Sequence, residues 1–481
     1  MGSLKQKTVS GMIWVGIQRF GTVIISFLSN IVLARLLTPA DFGYIGMLMV
    51  FIAVSTSFVD GGFGSALIQK TNPTQQDYST VFYWNIFLGV ILYVILFNVA
   101  PWIADFYHME ILTKILRLEG VILIINAFTI VQFNKLRKTM QFKKITIINV
   151  TAALVSVIAA IGYAYRGGGV WALVWQQIIL GVVNVLMLFI MVPWKPSLSF
   201  SLNSFKSLFK FGSFILLSSL INTIANNISG LIVGRFFSAA RMGYLSQAQK
   251  LENVASTSIA ATVEQVSYPL LVEVKEDYKR MAQVLRLFNL MLLSFVMPIM
   301  LIILLAAQPI VLFLFGEKWL PSAEILQILS IAGIFICLQG SSYNVIAAIG
   351  KSDVLFNWTV IKRGVGIGLI FIGLWSYGFK GVLWGMVASS AFIWFSNCWL
   401  VSKHIGYKLT RQILDLSPIV LISGGSFIIV SLLHYFSLIG NNDLIYAGIF
   451  ACLYIFPFIF IKTPIILEIR SNLNSIINHR K

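Results

Sequence analysis

Residues 31–45 of the chain read IVLARLLTPADFGYI, and residues 231–245 read LIVGRFFSAARMGYL. Four residues recur at an interval of 200 positions: Arg35 with Arg235, Ala40 with Ala240, Gly43 with Gly243, and Tyr44 with Tyr244. Most of the other positions exchange one small or apolar residue for another. Such self-similarity indicates a duplicated structural unit, and membrane transporters are often built from two related halves.

The composition predicts an integral membrane protein. Of the 481 residues, 58% are hydrophobic and only 11% are charged, whereas soluble domains carry about 25% charged residues. The net charge is +18, but Lys and Arg stand in short runs between apolar stretches. This placement favours orientation in a bilayer and contact with anionic lipids over binding of nucleic acid.

The chemistry-bearing residues favour a transporter over an enzyme. Cys337, Cys398 and Cys452 lie in apolar stretches without the spacing of metal ligands, so we expect neither a disulfide framework nor a metal site. All connections between apolar stretches are short, which excludes an attached nucleotide-hydrolysing domain. We therefore expect no cofactor, while a coupling ion, Na⁺ or H⁺, stays open.

About 20 apolar residues are needed for one helix to cross a bilayer. By this measure the sequence predicts an all-α membrane protein with fourteen transmembrane helices. The spans lie near residues 11–34, 42–68, 79–104, 111–133, 145–165, 169–192, 208–234, 241–268, 284–314, 322–348, 355–377, 381–402, 414–436 and 443–462.

The distribution of Lys and Arg orients these spans. Basic residues are far more frequent in the connections on the side of the N-terminus, which places both termini in the cytoplasm. Arg35 and Arg235 then end spans one and seven on the same outer side, where they frame the scaffold. The halves are therefore parallel repeats, with six-helix lobes at 1–200 and 201–408. Two extra helices and a cytoplasmic tail follow at 409–481.

A charge near the bilayer centre costs about 2.5–3.5 kcal/mol on insertion scales, so each charge within a span is a functional candidate. Arg19 and Asp60 lie at similar depth in spans one and two, within reach of an ion pair. Asp60 opens the stretch DGGFG, in which Gly61, Gly62 and Gly64 weaken the helix. This stretch is either a hinge or ion site that faces a cavity, or a frayed helix end.

Span eight carries Lys250 and Glu252 within the polar run SQAQKLEN. So much polarity predicts a water-filled cavity, although a buried ion pair is the alternative. Asn222 and Asn226 share one face of span seven, where they could hydrogen-bond sugars or join helices. Glu264, near the inner end of span eight, is a candidate for cation coupling.

Arg117 and Glu119 lie in the outer part of span four, and Lys362 and Arg363 enter span eleven from the inside. These side chains either line the cavity or extend to the headgroups. We assign substrate binding to Arg19, Arg117, Asn222, Asn226, Lys250, Lys362 and Arg363, and ion coupling or charge relief to Asp60, Glu119, Glu252 and Glu264. The excess of cations predicts an anionic substrate that bears phosphate.

Five stretches carry a family resemblance: VLARLLTPADFG (32–43), FVDGGFGSALIQK (58–70), LRKTMQFKKI (136–145), GRFFSAARMGYLSQAQKL (234–251) and LFGEKWLPSAEILQIL (314–329). With them the chain resembles the polysaccharide transporter family of the multidrug/oligosaccharidyl-lipid/polysaccharide exporter superfamily, and in particular the Wzx-type flippases of colanic acid and related exopolysaccharides. The resemblance covers both halves and is weakest over the last two spans.

The resemblance implies a flippase of the bacterial inner membrane that carries undecaprenyl-pyrophosphate-linked oligosaccharide repeat units, for exopolysaccharide or lipopolysaccharide O-antigen-type glycans, by alternating access. It also implies two lobes in a V around a cationic lumen, with a glycan polymerase and a chain-length regulator as partners. The glycan and the oligomeric state stay open. The alternatives are a cation-coupled multidrug exporter and a membrane glycan polymerase or ligase. The latter is an enzyme that needs a large outer loop.

Overall fold

The computed structural model describes residues 2–436 and 443–460, and the described residues form helices without any strand. The tail predicted after the last span falls on residues 461–481, outside this range. Seventeen α-helices and one 3₁₀ turn (Glu317–Trp319) follow in chain order: α1 Gly2–Leu36, α2 Pro39–Asp60, α3 Phe63–Gln69, α4 Gln75–Tyr107, α5 Ile111–Glu119, α6 Val121–Lys138, α7 Phe142–Tyr165, α8 Val170–Met191, α9 Leu202–Phe236, α10 Ala239–Ala255, α11 Thr257–Glu273, α12 Tyr278–Leu305, α13 Ala307–Phe315, α14 Pro321–Ala348, α15 Ser352–Ile405, α16 Leu409–Tyr435 and α17 Asp443–Phe460.

Short local signals set the helix ends. α2 begins with Pro39 at its first position, where a missing N–H costs nothing. Thr38 and Asp41 form a capping box in front of it, in which each side chain accepts from the backbone N–H of the other residue. α4 begins with the same device, built from Thr74 and Asp77.

The segment labelled α15 contains two helices, so the described residues hold eighteen α-helices in all. Tyr377 and Gly378 have non-helical backbone angles, and Gly378 has a φ of 59°. The chain reverses direction there. Gly373 and Gly381 are in contact across the reversal, since a Cβ atom on either residue would overlap the backbone of the other. In a straight helix these residues would lie about 12 Å apart. The reversal falls between the predicted spans 355–377 and 381–402.

The chain divides into two compact units, Met1–Gly243 and Tyr244–Lys481. This division reflects which helices contact each other and does not test the sequence repeat. The repeat lobes at 1–200 and 201–408 therefore stay a prediction. In the first unit α1 packs on α7, α2 packs on α9, and α7 packs on α8. In the second unit α14 packs on α11, α12 and α15, and α16 packs on α12.

Within the described residues, eleven helical segments are long and apolar enough to cross a membrane. The segment Asp353–Ile405 counts once among them, although it reverses at Tyr377. Many large apolar side chains remain exposed, such as Trp102, Phe313 and Ile190 at 72%, 78% and 78%. These apolar side chains would contact lipid in a bilayer. The helices can cross it because their backbone N–H and C=O groups are hydrogen-bonded within each helix. The chain is a multi-pass membrane protein.

Each unit has its own apolar core. In the first unit, Phe63, Tyr78, Phe82 and Trp194 join one buried cluster at the end where α3, α4 and α6 meet. In the second unit, one cluster lies between α12, α14, α16 and α17, and another surrounds the ends of α12, α14 and α15. These cores fix the positions of the charged side chains that follow.

Candidate functional site

The DGGFG stretch separates α2 from α3. Gly61 and Gly62 have φ angles of 56° and 71°, in the left-handed region that glycine adopts without steric cost. A Cβ at Gly62 would also overlap the carbonyl oxygen of Gly212 in α9. The bend is thus a defined break packed against α9, and its role as a hinge stays a prediction.

Asp60 lies at this bend with a half-buried side chain. Its Oδ1 would be 3.0 Å from a Cβ at Gly64, and the amide of Asn134 touches the same position. The Gly62 N–H and the Arg137 guanidinium act on the carboxylate, and Arg137 donates to Asn134 at 3.4 Å. Gly64 is small enough to let Asp60 and Asn134 meet here.

Arg19 lies on α1, which packs on α7 rather than on α2. Its side chain is half-buried. Within the described part of the chain, Arg19 forms no ion pair with Asp60 or with any other carboxylate. Similar depth on consecutive helices was an insufficient criterion for pairing, because sequence neighbours need not be packing neighbours.

Glu119 is fully buried, at 1% exposure, where α5 ends and α6 begins. Its Oε1 accepts from Gln177 Nε2 at 2.9 Å. Its Oε2 has no hydrogen-bond partner among the described residues. Arg117 lies elsewhere: it donates to the carbonyl of Phe97 at 3.2 Å and its guanidinium stacks 4.2 Å from that ring.

In the second unit, two acids lie against glycines of α14. The Oε1 of Glu252 is 2.7 Å from a Cβ built on Gly333, and Glu264 occupies the space beside Gly340 in the same way. Glu252 is 4% exposed and accepts a 2.6 Å hydrogen bond from Ser256, at the break between α10 and α11. Any larger residue at either glycine would displace a carboxylate.

Lys362 is buried at 4% exposure in α15. Its ammonium donates to Asn397 Oδ1 at 2.5 Å, and Asn397 in turn donates to the carbonyl of Gln339 at 3.0 Å. Gln339 donates to the carbonyl of Ser390 at 2.9 Å. Lys362 therefore belongs to a network that ties α14 to both helices of α15, and it does not extend to the headgroups.

The remaining candidates are more accessible. Lys250 and Asn226 are exposed, and Arg363 and Asn222 are half-buried. Asn222 donates to the carbonyl of Ser218 in its own helix at 3.0 Å. This hydrogen bond does not link α9 to another helix.

The candidates fall into the two units. The first unit contains Asp60, at the glycine bend, and Glu119, between α5 and α6. The second unit contains Glu252, Glu264 and Lys362. The sequence reasoning missed their neutral partners, Asn134, Gln177, Ser256, Gln339 and Asn397. Buried Asn and Gln inside apolar helices were the available signal, since buried polar groups need partners.

A family model described as "Polysaccharide biosynthesis protein" matches residues 32–324. The chain is 26% identical over 371 residues to the teichuronic acid biosynthesis protein TuaB of Bacillus subtilis (strain 168), which covers 74% of each protein. It is 25% identical over 400 residues to the lipopolysaccharide biosynthesis protein WzxC of Escherichia coli (strain K12), covering 80% of this chain and 79% of that protein.

Among solved structures, the lipid II flippase MurJ in an inward closed conformation is similar, with a TM-score of 0.76 and 17% sequence identity. The alignment covers 92% of this chain and 97% of the other. At this identity the similarity shows the fold alone.

Proposed function

Since the chain belongs to the polysaccharide biosynthesis protein family, we propose that it moves lipid-linked oligosaccharide repeat units across the bacterial inner membrane. The match of residues 32–324 to that family carries the proposal, and a transporter fold supports it. The protein is then a flippase and not an enzyme. The sugar passes through the protein while the lipid tail stays in the bilayer.

The charge of the intramembrane side chains supports a pyrophosphate-bearing substrate. Arg19 is half-buried and forms no ion pair among the described residues. Lys250 is exposed on α10, a helix rich in polar residues. A guanidinium and an ammonium can hold phosphate oxygens by charge-assisted hydrogen bonds. These two residues contact the pyrophosphate in this proposal.

The test is flux of a labelled undecaprenyl-pyrophosphate oligosaccharide in proteoliposomes. The Arg19→Ala, Lys250→Ala double variant is expected to lower flux about 10-fold or more, because charge-assisted hydrogen bonds contribute roughly 1.5–3 kcal/mol each. The charge-retaining pair Arg19→Lys, Lys250→Arg is the control and should keep most of the flux. Equal flux in all three proteins would contradict the cationic contact.

Glu119 carries the coupling proton in this proposal. Removing an unpaired carboxylate from water costs several kcal/mol, and protonation avoids that cost. Arg117, the nearest cation in sequence, is directed to Phe97, and Glu119 forms no ion pair with a described cation. Gln177 offers an N–H donor, which suits a carboxyl group better than it suits Na⁺, whose ligands are oxygen atoms.

Glu119→Gln should therefore abolish the response of flux to an imposed pH gradient while the variant still folds, since an amide fits the same space. Glu110→Gln changes an exposed carboxylate at the other end of α5 and should leave the response unchanged. A gradient response that survives in Glu119→Gln would assign coupling to another acid, with Asp60, Glu252 and Glu264 as the next candidates.

The topology in this proposal has fourteen crossings, two parallel repeats around a lumen, and both termini in the cytoplasm. An alkaline phosphatase reporter fused after Phe436 should be active, because it would follow the thirteenth span and lie outside. An inactive fusion there would contradict the count.

A glycan polymerase and a chain-length regulator are the proposed partners.

A further inference from the structure

A pocket lies at the end of the first unit where α6 turns into α7. It measures about 120 Å³ and lies between the last turn of α6, the turn at Thr139 and Gln141, the start of α7 and the segment after α8. Lys135, Lys144 and Trp194 are among its lining residues. Nothing in the proposed transport path uses it.

Among the described residues, the two lysines of the pocket have no anionic partner. Lys135 lies over the rings of Tyr78 and Trp194, 5.5 and 5.7 Å from their centroids. Lys144 donates to the carbonyl of Met191 at 3.2 Å. Neither forms an ion pair with any described carboxylate, and Asp77 is bound to Lys70 at 2.7 Å. None of the described residues that line the pocket carries a carboxylate.

The local helix geometry adds to this positive charge. Lys143 and Lys144 stand in the first turn of α7, where the helix dipole disfavours cations by about 0.3–1 kcal/mol. No acidic residue lies in that turn, and the side chain of Gln141 makes no cap hydrogen bond. The N-terminal end of α7, where the N–H groups of Lys144 and Ile145 bond to the carbonyl of Gln141, therefore lies at the pocket without a side-chain cap.

Met140 holds this arrangement in place. It has a φ of 55°, a left-handed conformation that costs most residues about 1–2 kcal/mol. The N–H of Gln141 bonds to the carbonyl of Leu136 at 2.9 Å across it, as in a Schellman motif. The tight turn brings the end of α6 and the start of α7 to the same pocket.

We propose that this pocket binds the phosphate group of an anionic lipid. Two half-buried ammonium groups, an uncapped helix start and a tryptophan suit a phosphate at the membrane interface, where basic pockets bind lipid headgroups. The ligand is either a bulk phospholipid or the phosphate of a prenyl carrier. For the carrier the inference rests on the proposed function, because a docked carrier lipid would be the substrate before translocation.

The test is lipid binding to the purified full-length protein in detergent, counted by native mass spectrometry. The probes are phosphatidylglycerol, undecaprenyl phosphate and inorganic pyrophosphate, each titrated separately. Lys135→Ala with Lys144→Ala should weaken binding of the lipid that occupies the pocket about 30-fold, since each basic residue near a lipid surface contributes about five-fold.

The matched control is Lys279→Ala with Lys403→Ala. Both lysines are exposed and lie outside the pocket, so the control removes equal charge from the same predicted side. Equal affinity for every probe in the two double variants would overturn the proposal. The probe whose affinity falls identifies the source: phospholipid, carrier lipid or free phosphate.

Flux measurements keep this inference separate from the proposed function. Pocket-dependent binding with no flux of any lipid-linked oligosaccharide would support the pocket and contradict the flippase. Flux with unchanged lipid binding in the Lys135, Lys144 variant would support the flippase and contradict the pocket.

Discussion

The two corners that share the repeated sequence are alike in backbone and differ in chemistry. α1 ends at Leu36 and α2 begins at Pro39, and 200 residues later α9 ends at Phe236 and α10 begins at Ala239. At the first corner Thr38 and Asp41 form a full capping box. At the second, Ser238 accepts from the N–H of Arg241 at 3.3 Å, and Arg241 has no oxygen with which to complete the box.

The two corners also touch each other within the first unit. A Cβ at Gly43 would overlap the carbonyl oxygen of Ala239, and a Cβ at Gly243 would overlap that of Pro39. Gly43 of α2 thus contacts the first residue of α10, and Gly243 of α10 contacts the first residue of α2. The two contacts are equivalent, as in a local two-fold arrangement. Sterics requires glycine at positions 43 and 243, whereas the residue at the third position of each helix, Asp41 or Arg241, is free to differ.

The largest expected effect comes from these glycines. Gly43→Ala and Gly243→Ala should each destabilise the protein by about 1–3 kcal/mol, because the new methyl group meets backbone that cannot rotate away. Gly162→Ala is the control in α7, with open space around it. Thermal unfolding in detergent measures the difference. If one corner tolerates alanine and the other does not, the two-fold arrangement is wrong.

The capping residues should give a smaller effect. Asp41→Ala removes the hydrogen bonds from the N–H and hydroxyl of Thr38, at 2.9 and 2.7 Å, and should cost about 1 kcal/mol. Ser238→Ala removes a single bond and should cost about half as much. Unfolding of the two variants side by side measures this ratio. A larger cost at Ser238 would show that the second corner depends more on its cap.

The arginines before the two corners should have the smallest effect. Arg235 contacts His108 and lies 5.2 Å from the ring of Phe106, and Arg35 is exposed. Arg35→Ala and Arg235→Ala should each cost less than about 1 kcal/mol. Flux per folded molecule should stay unchanged in both, in contrast to Arg19→Ala. A selective loss of flux at Arg235 would move it from the scaffold to the transport path.

The sequence predicted much of the fold because the signals were local. Apolar length located the membrane helices. The bend at Gly61 and Gly62 followed from three glycines in four positions. The count of fourteen membrane crossings stays a prediction, since eleven described segments are long and apolar enough to cross and the polar helix α10 is not among them.

The candidate site was predicted less well, for a physical reason. Depth along a helix gives one coordinate of a side chain, and pairing depends on which helices pack together. Glu119 and Lys362 were identified as candidates by their charge alone, yet their partners Gln177 and Asn397 are 58 and 35 residues away. The pocket at Lys135 and Lys144 also needed the turn at Met140, which no sequence pattern indicated.

The sequence by itself determined that this is a multi-pass helical membrane protein with an internal repeat and costly intramembrane charges. Those properties follow from residue-by-residue transfer free energies and local backbone preferences. Only the tertiary structure decided that Glu119 keeps one oxygen without a hydrogen-bond partner in the described part of the chain, that Lys362 is tied into a network, and that two lysines share a pocket. These outcomes depend on contacts between helices distant in sequence, where desolvation and partner geometry set the state of each charge.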